Sequence, residues 1–149
     1  MNWHEYFFNL ANAVSLKSKD PHTKVGAIIV GPDKEIRSTG YNSFPRGIND
    51  NAPERLERPE KYKWIEHAER CAIYNAARSG VSTYQCIMYI PWFPCTDCAR
   101  AIINSGISEI IIDYRDSNHW KSRKDNWSDD AERSKVMLSE AGVKITKWS

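Results

Sequence analysis

Short apolar runs alternate with helix-spaced segments along this chain, and that alternation limits its fold more than any other feature. Trp3, Phe7, Leu10, Ala11 and Val14 recur at helical spacing, which predicts an amphipathic helix over about residues 3–18, stopped by Asp20-Pro21. The apolar run 25–30 and the segment 36–41 flank Gly31-Pro32 and read as a hairpin. Beyond them the pattern predicts a helix over 65–79 closed by Gly80, a strand over 84–90, a helix over 95–105 capped by Gly106 and a strand over 107–113. A helix near 129–141, ended by Gly142, and a strand over 143–147 complete the series. Strands that alternate with helices predict an α/β fold, and the first hairpin makes its sheet mixed. Two polar stretches interrupt the pattern, 42–61 and 114–128, and connections that long are often functional.

At 149 residues the chain fits one domain, 1–149. A fold of that size buries roughly 68–70% of the surface its unfolded chain exposes, so it needs no disulfide staples. The net charge of +2 lacks the strong basic bias of a nucleic-acid binder, so no stable nucleic-acid partner is expected. A small anion held by a few local cations is compatible with it. No apolar run approaches the ~20 residues of a membrane span. Met1-Asn2-Trp3-His4-Glu5 has no basic, apolar leader pattern, so a cytoplasmic protein with reduced thiols is expected.

Two fragments carry the chemistry: His67-Ala68-Glu69 and Pro94-Cys95-Thr96-Asp97-Cys98. The second puts two thiols three apart on the first turn of a predicted helix, where they share a face. A helix N-terminus favours the thiolate. One imidazole nitrogen and two sulfurs suit Zn²⁺, and three protein ligands leave a fourth position for water, as in catalytic sites. On a regular helix Glu69 points about 160° away from His67. An irregular helix start lets it approach the same site as a proton carrier. H-x-E followed by P-C-x-x-C is the signature of zinc deaminases, in which the Glu does acid–base work.

The likeness runs further. Ser18-Lys19-Asp20-Pro21, Lys24-Val25-Gly26-Ala27, Gly40-Tyr41-Asn42, the two zinc fragments, Ser105-Gly106-Ile107 and Ala141-Gly142-Val143 resemble, in that order, the deoxycytidylate (dCMP) deaminase family. The resemblance implies a cytidine deaminase-like three-layer α/β/α sandwich with a mixed five-stranded sheet. It implies hydrolysis of dCMP to dUMP, which feeds thymidylate synthesis, and a homohexamer as the assembly, with dCTP and dTTP as candidate effectors. His67, Cys95 and Cys98 match the family's zinc ligands, Glu69 its proton shuttle, and Asn42 a sugar contact. Ala68, between His67 and Glu69, joins the substrate side. Phe44, Trp92 and Phe93 are candidates to pack on the base. Lys24, Arg46 and Arg115 are candidates for the 5′-phosphate, a dianion that calls for charge-assisted donors. The chain departs from the family in three places. Cys71 stands where Asn is usual. Ser43 replaces a Gly in a region linked to dCTP regulation. The segment 114–128 has no clear counterpart.

Plainer readings stand beside these. Cys71, four after His67, can replace one of the other thiols as a ligand or close the site as a fourth, although a buried apolar-like thiol is the simpler role. Cys95 and Cys98 can also be a redox pair or half of a structural zinc knuckle. Cys86 reads as core. His4, His22 and His119 read as structural or solvated, and Lys121, Arg123 and Lys124 as a solvated loop. The rival functions are another zinc deaminase, acting on CMP, a nucleoside, a free base or tRNA adenosine, and a non-catalytic zinc-stapled binding module.

Overall fold

The computed structural model describes residues 1–115 and 129–149. The first helix, α1 (Trp3–Ser15), starts at an Asn2 cap whose Oδ1 accepts from the Glu5 N–H at 2.8 Å. It ends at Ser15, earlier than its apolar spacing predicts, because the chain turns off to tie the following loop down. There the Ser18 hydroxyl donates to the Asn42 carbonyl at 2.8 Å. The strands β1 (Gly26–Val30) and β2 (Ile36–Tyr41) form the expected antiparallel hairpin. A short 3-10 turn (Pro53–Leu56) and a one-turn helix, α2 (Lys61–Trp64), interrupt the long polar stretch. There follow α3 (Ala68–Ser79), β3 (Ile87–Ile90), α4 (Thr96–Asn104), β4 (Glu109–Asp113), α5 (Asp129–Glu140) and β5 (Lys144–Trp148).

The five strands make one mixed sheet in the order β2-β1-β3-β4-β5. β1 runs antiparallel to both β2 and β3, and β3, β4 and β5 run parallel. Strands with sheet neighbours on both sides and helices on both faces should read as unbroken apolar runs. That is the pattern of β1, where every residue is buried. Side chains alternate between two cores. Ile28, Val30, Tyr89 and Ile111 meet Phe7, Phe8 and Ala11 of α1 on one face. Ala27, Ile29, Met88, Ile90, Ile110 and Ile112 meet Ala68, Ala72, Ile102 and Leu138 of α3, α4 and α5 on the other. The result is the three-layer α/β/α sandwich. Among the described residues no helix is long and apolar enough to cross a membrane.

Gly40 brings α3 onto the sheet. A Cβ there would lie 2.3 Å from the Ala72 nitrogen and 2.6 Å from the Ala68 carbonyl oxygen, so only a bare α-carbon admits the helix backbone. The predicted 65–79 helix begins only at Ala68. Its would-be first turn is pulled straight by a two-way bridge between Ser43 and Glu66, with N···O distances of 3.1 and 2.8 Å. The strand predicted from 84 begins at Ile87, because Gln85 takes a left-handed turn (φ 64°).

Candidate metal centre and its cavity

His67 occupies the N-cap position of α3 in an extended conformation (φ −70°, ψ 151°), and Cys95 the N-cap of α4 (φ −71°, ψ 171°). Neither residue follows helical geometry, so each can swing its side chain over the end of its own helix. Cys98 lies on the first turn of α4. His67 Nδ1 is 3.5 Å from Cys95 Sγ and 3.4 Å from Cys98 Sγ. The three ligand atoms all lie within 4.8 Å of one another. A tetrahedral zinc with bonds of ~2.3 Å to sulfur and ~2.0–2.1 Å to nitrogen separates S from N by about 3.5 Å. Both sulfur–nitrogen separations therefore match a tetrahedral zinc site, and the donors' chemistry, one imidazole and two thiols, fits that ion. Among the described residues the group has three members, which leaves one corner free.

The charges agree with this assignment. The Cys95 thiol is lowered to about 4, first by a hydrogen bond from Cys98 and then by His67 and the Cys98 backbone N–H. The Cys98 thiol is pushed up, because it donates that bond and is buried. His67 is raised, chiefly by its bond to the Cys95 thiolate. Without metal the pair thus holds one thiolate and one thiol, and a cation must displace the remaining protons. Arg70 spans the two helices beside the sulfurs. Its guanidinium lies 2.5 Å from Glu66, off the Nε–H direction, and 3.5 Å from Asp97.

With Cys98 buried beside them, His67 and Cys95 lie in the wall of a cavity of about 480 Å³. Glu69 also lines it, 9% exposed, and burial raises its carboxyl above the usual range. The anticipated 160° divergence of His67 and Glu69 vanishes because His67 is extended. Ala68, Trp92, Phe93 and Asn42 line the same cavity. Asn42 is chiefly engaged with backbone: Oδ1 accepts from the Val25 N–H at 2.9 Å, and Nδ2 donates to the Thr23 carbonyl at 2.8 Å. One amide N–H and one lone pair are left over from its full set.

Four candidates for substrate contact are not brought here. Lys24 is exposed and outside the lining. Phe44 and Arg46 line a separate cavity of about 610 Å³, where Arg46 donates to Asn75 at 2.7 Å. Arg115 is held by Asp113, at 2.9 and 2.7 Å, and stacks over Trp148 with 4.5 Å to the ring centre. Cys71 also lines the second cavity, 3.5 Å from the Ser43 hydroxyl, and does not join the metal group. Cys86 is fully buried core, and His4 bonds the Tyr89 hydroxyl at 2.9 Å. His119, Lys121, Arg123 and Lys124, and nearly all of the 114–128 segment, lie outside the described residues.

The cations that do line the cavity are Arg58 and Lys61. Lys61 is 5% exposed and donates to both oxygens of Asp20, at 3.1 and 3.3 Å. The sequence marked residues 42–61 as functional by length alone. It gave no sign of which basic residue turns inward, since the partner, Asp20, is remote in the chain.

A family description for the cytidine and deoxycytidylate deaminase zinc-binding region matches residues 1–113. The deoxycytidylate deaminase of Homo sapiens is 35% identical to this chain, over 99% of this chain and 80% of its own length. A protein of Aliivibrio fischeri named "Uncharacterized deaminase in luxG 3′ region" is 38% identical, over 97% of this chain and 92% of its own. The crystal structure of the apo dCMP deaminase from cyanophage S-TIM5 has the same fold, with a TM-score of 0.72 at 24% identity, covering 97% of this chain and 96% of that one.

Proposed function

The chain belongs to the cytidine and deoxycytidylate deaminase family of zinc-dependent hydrolases, and from that premise we propose that it converts dCMP and water to dUMP and ammonia. One observation carries the reading. A nitrogen and two sulfurs stand at zinc spacing, with His67 and Cys95 in the wall of a cavity that also holds a buried carboxyl and Cys98 buried beside them. His67, Cys95 and Cys98 hold the ion, and Zn²⁺ when bound acidifies water enough to make it a nucleophile at neutral pH. Glu69 moves the protons. It takes one from the attacking water and passes it to ring N3 as the C4–O bond forms. It then takes the second from the new C4 hydroxyl and delivers it to the 4-amino nitrogen as the C4–N bond breaks, leaving the C4 carbonyl and ammonia. A carboxyl raised by burial suits a group that must both accept and give a proton. Trp92 and Phe93 flank the base, Ala68 adds backbone beside it, and the spare N–H of Asn42 faces the sugar.

For the 5′-phosphate we assign Arg58 and Lys61 in place of Lys24, Arg46 and Arg115. Arg58 brings a bidentate fork. Lys61 spends two of its three donors on Asp20 and keeps one. The full reading includes a homohexamer, a cytoplasmic setting that keeps the thiols reduced, and dCTP and dTTP as effectors. Light scattering at six times the 17.2 kDa protomer mass, and assays with and without each triphosphate, test the assembly and the effectors.

The decisive experiment is a substrate panel of dCMP, CMP, deoxycytidine, guanine and adenosine, run on the wild type and on Arg58→Ala and Arg46→Ala. The reading expects dCMP to be preferred and Arg58→Ala to lose about tenfold or more in kcat/KM on dCMP while deoxycytidine is unaffected, a loss that fits one charge-assisted contact. Arg46→Ala stays near wild type. Preference for another substrate overturns the dCMP reading, and unchanged discrimination in Arg58→Ala overturns the phosphate assignment.

A further inference from the structure

Helix α4 begins with an unusual division of labour. The N-cap side chain of a helix ordinarily satisfies its first free N–H groups. Here the N-cap is Cys95, whose sulfur is committed to the metal group and, of the free N–H groups at the helix start, accepts that of Cys98, at 3.5 Å. The Thr96 N–H is satisfied from outside the helix. Asp130 Oδ2 accepts it at 3.1 Å, and Asp130 Oδ1 accepts the Thr96 hydroxyl at 2.9 Å. One turn further along α5, the fully buried Ser134 hydroxyl donates to the Pro94 carbonyl at 2.7 Å. Another turn on, Leu138 sits in the core at 0% exposure. Asp130, Ser134 and Leu138 follow one another at intervals of four and share one face of α5. Leu138 thus anchors the helix, and the two polar residues clamp the Pro94-Cys95-Thr96 segment from both sides of the metal-binding cysteine.

We propose that Asp130 and Ser134 are positioning residues for the zinc ligands: they fix the start of α4 so that Cys95 and Cys98 keep the spacing to His67 that the ion needs. A carboxylate beside two sulfurs that become anionic is electrostatically unfavourable, so its placement there is accounted for by the hydrogen bonds it accepts. Partners that orient metal ligands in this way are typically worth 10–100-fold in metal affinity. The inference rests on the zinc reading and not on the identity of the nucleotide.

The test is the rate at which the zinc-loaded chain surrenders its metal to excess chromogenic chelator, a readout independent of turnover. Asp130→Ala is expected to release zinc about 10–100-fold faster than wild type. Asp130→Asn, which can still accept from the Thr96 N–H and donate to its hydroxyl, stays within about threefold. Met137→Ala, which trims the packing of α5 against the core and leaves the Asp130 and Ser134 contacts in place, releases zinc like wild type. Thr96→Val removes one leg of the contact and falls between; it also serves if Asp130→Ala does not fold. Wild-type release from Asp130→Ala or Thr96→Val overturns the proposal, as does Met137→Ala matching Asp130→Ala. A wild-type chain that takes up no zinc removes the metal reading itself, and the clamp with it.

Discussion

Glu69 follows His67 by two positions, and both side chains reach one cavity only because His67 is extended and the helix starts at Ala68. That geometry underlies the proton-carrying role proposed for Glu69. Glu69→Gln preserves shape but cannot carry a proton, so zinc content stays at one per chain while kcat on dCMP falls about 10²–10⁴-fold, measured by metal analysis beside steady-state kinetics. The metal ligands make a prediction of their own. In the metal-free chain Cys95 is already a thiolate near neutrality, while Cys98 keeps its proton and His67 holds its proton to higher pH than a free imidazole does. Zinc must displace those protons, so uptake at pH 7 releases about one to two protons per chain, and affinity weakens as pH falls. Zinc titration in buffers of differing ionisation enthalpy reads this number directly. Release of none contradicts the assigned charge states.

Between elements, two contacts place the site. The Asp20–Lys61 pair ties the loop after α1 to α2, with both side chains 6% exposed. Burial alone would push the Asp20 carboxyl up. The N–H groups of His22 and Thr23 and the Lys61 ammonium outweigh it and leave it below the usual value. A carboxyl lowered in this way stabilises the fold above its unfolded pKa, and the contribution disappears as pH falls through the lowered value. Replacing Asp20 alone leaves a buried ammonium unpaired, so Asp20→Ala costs about 3–5 kcal/mol in urea unfolding, whereas Asp20→Ala with Lys61→Met costs clearly less. Equal costs contradict a paired role. The second contact is Gly40 against α3. Gly40→Ala forces a methyl into the Ala68 and Ala72 backbone and destabilises by about 1–3 kcal/mol. The shift moves His67 as well, so zinc affinity should fall with stability. Unchanged stability would mean the helix has room to move.

At the scale of the whole molecule, the sheet carries the fold and the metal completes the site. The unbroken apolar runs of β1, β3 and β4 and the helical spacing of α1 were legible in the sequence, because burial on both sheet faces and on one helix face imposes those patterns directly. The ligand set was legible for a different reason: zinc chemistry restricts residue type and spacing within two short fragments. What the residues could not reveal was long-range. The Ser43–Glu66 bridge that straightens His67, the inward turn of Lys61 onto Asp20, and the Asp130 cap on α4 each join segments that no local pattern relates. The same limit applies to the phosphate candidates: Arg46 and Arg115 look no different in sequence from Arg58, yet of the three only Arg58 lines the cavity of the metal group. Because neither core cluster contains a member of the metal group, stripping zinc with a chelator should leave the far-UV circular dichroism intact and lower Tm by on the order of 10 °C. Unfolding on removal would make the zinc structural. The most direct test of the account adds zinc stepwise to the metal-free chain and follows ammonia release from dCMP at each step. The account predicts a rate that starts at zero and rises linearly to a plateau at one zinc per chain. Full turnover before any zinc is added, or none at one equivalent, would contradict it.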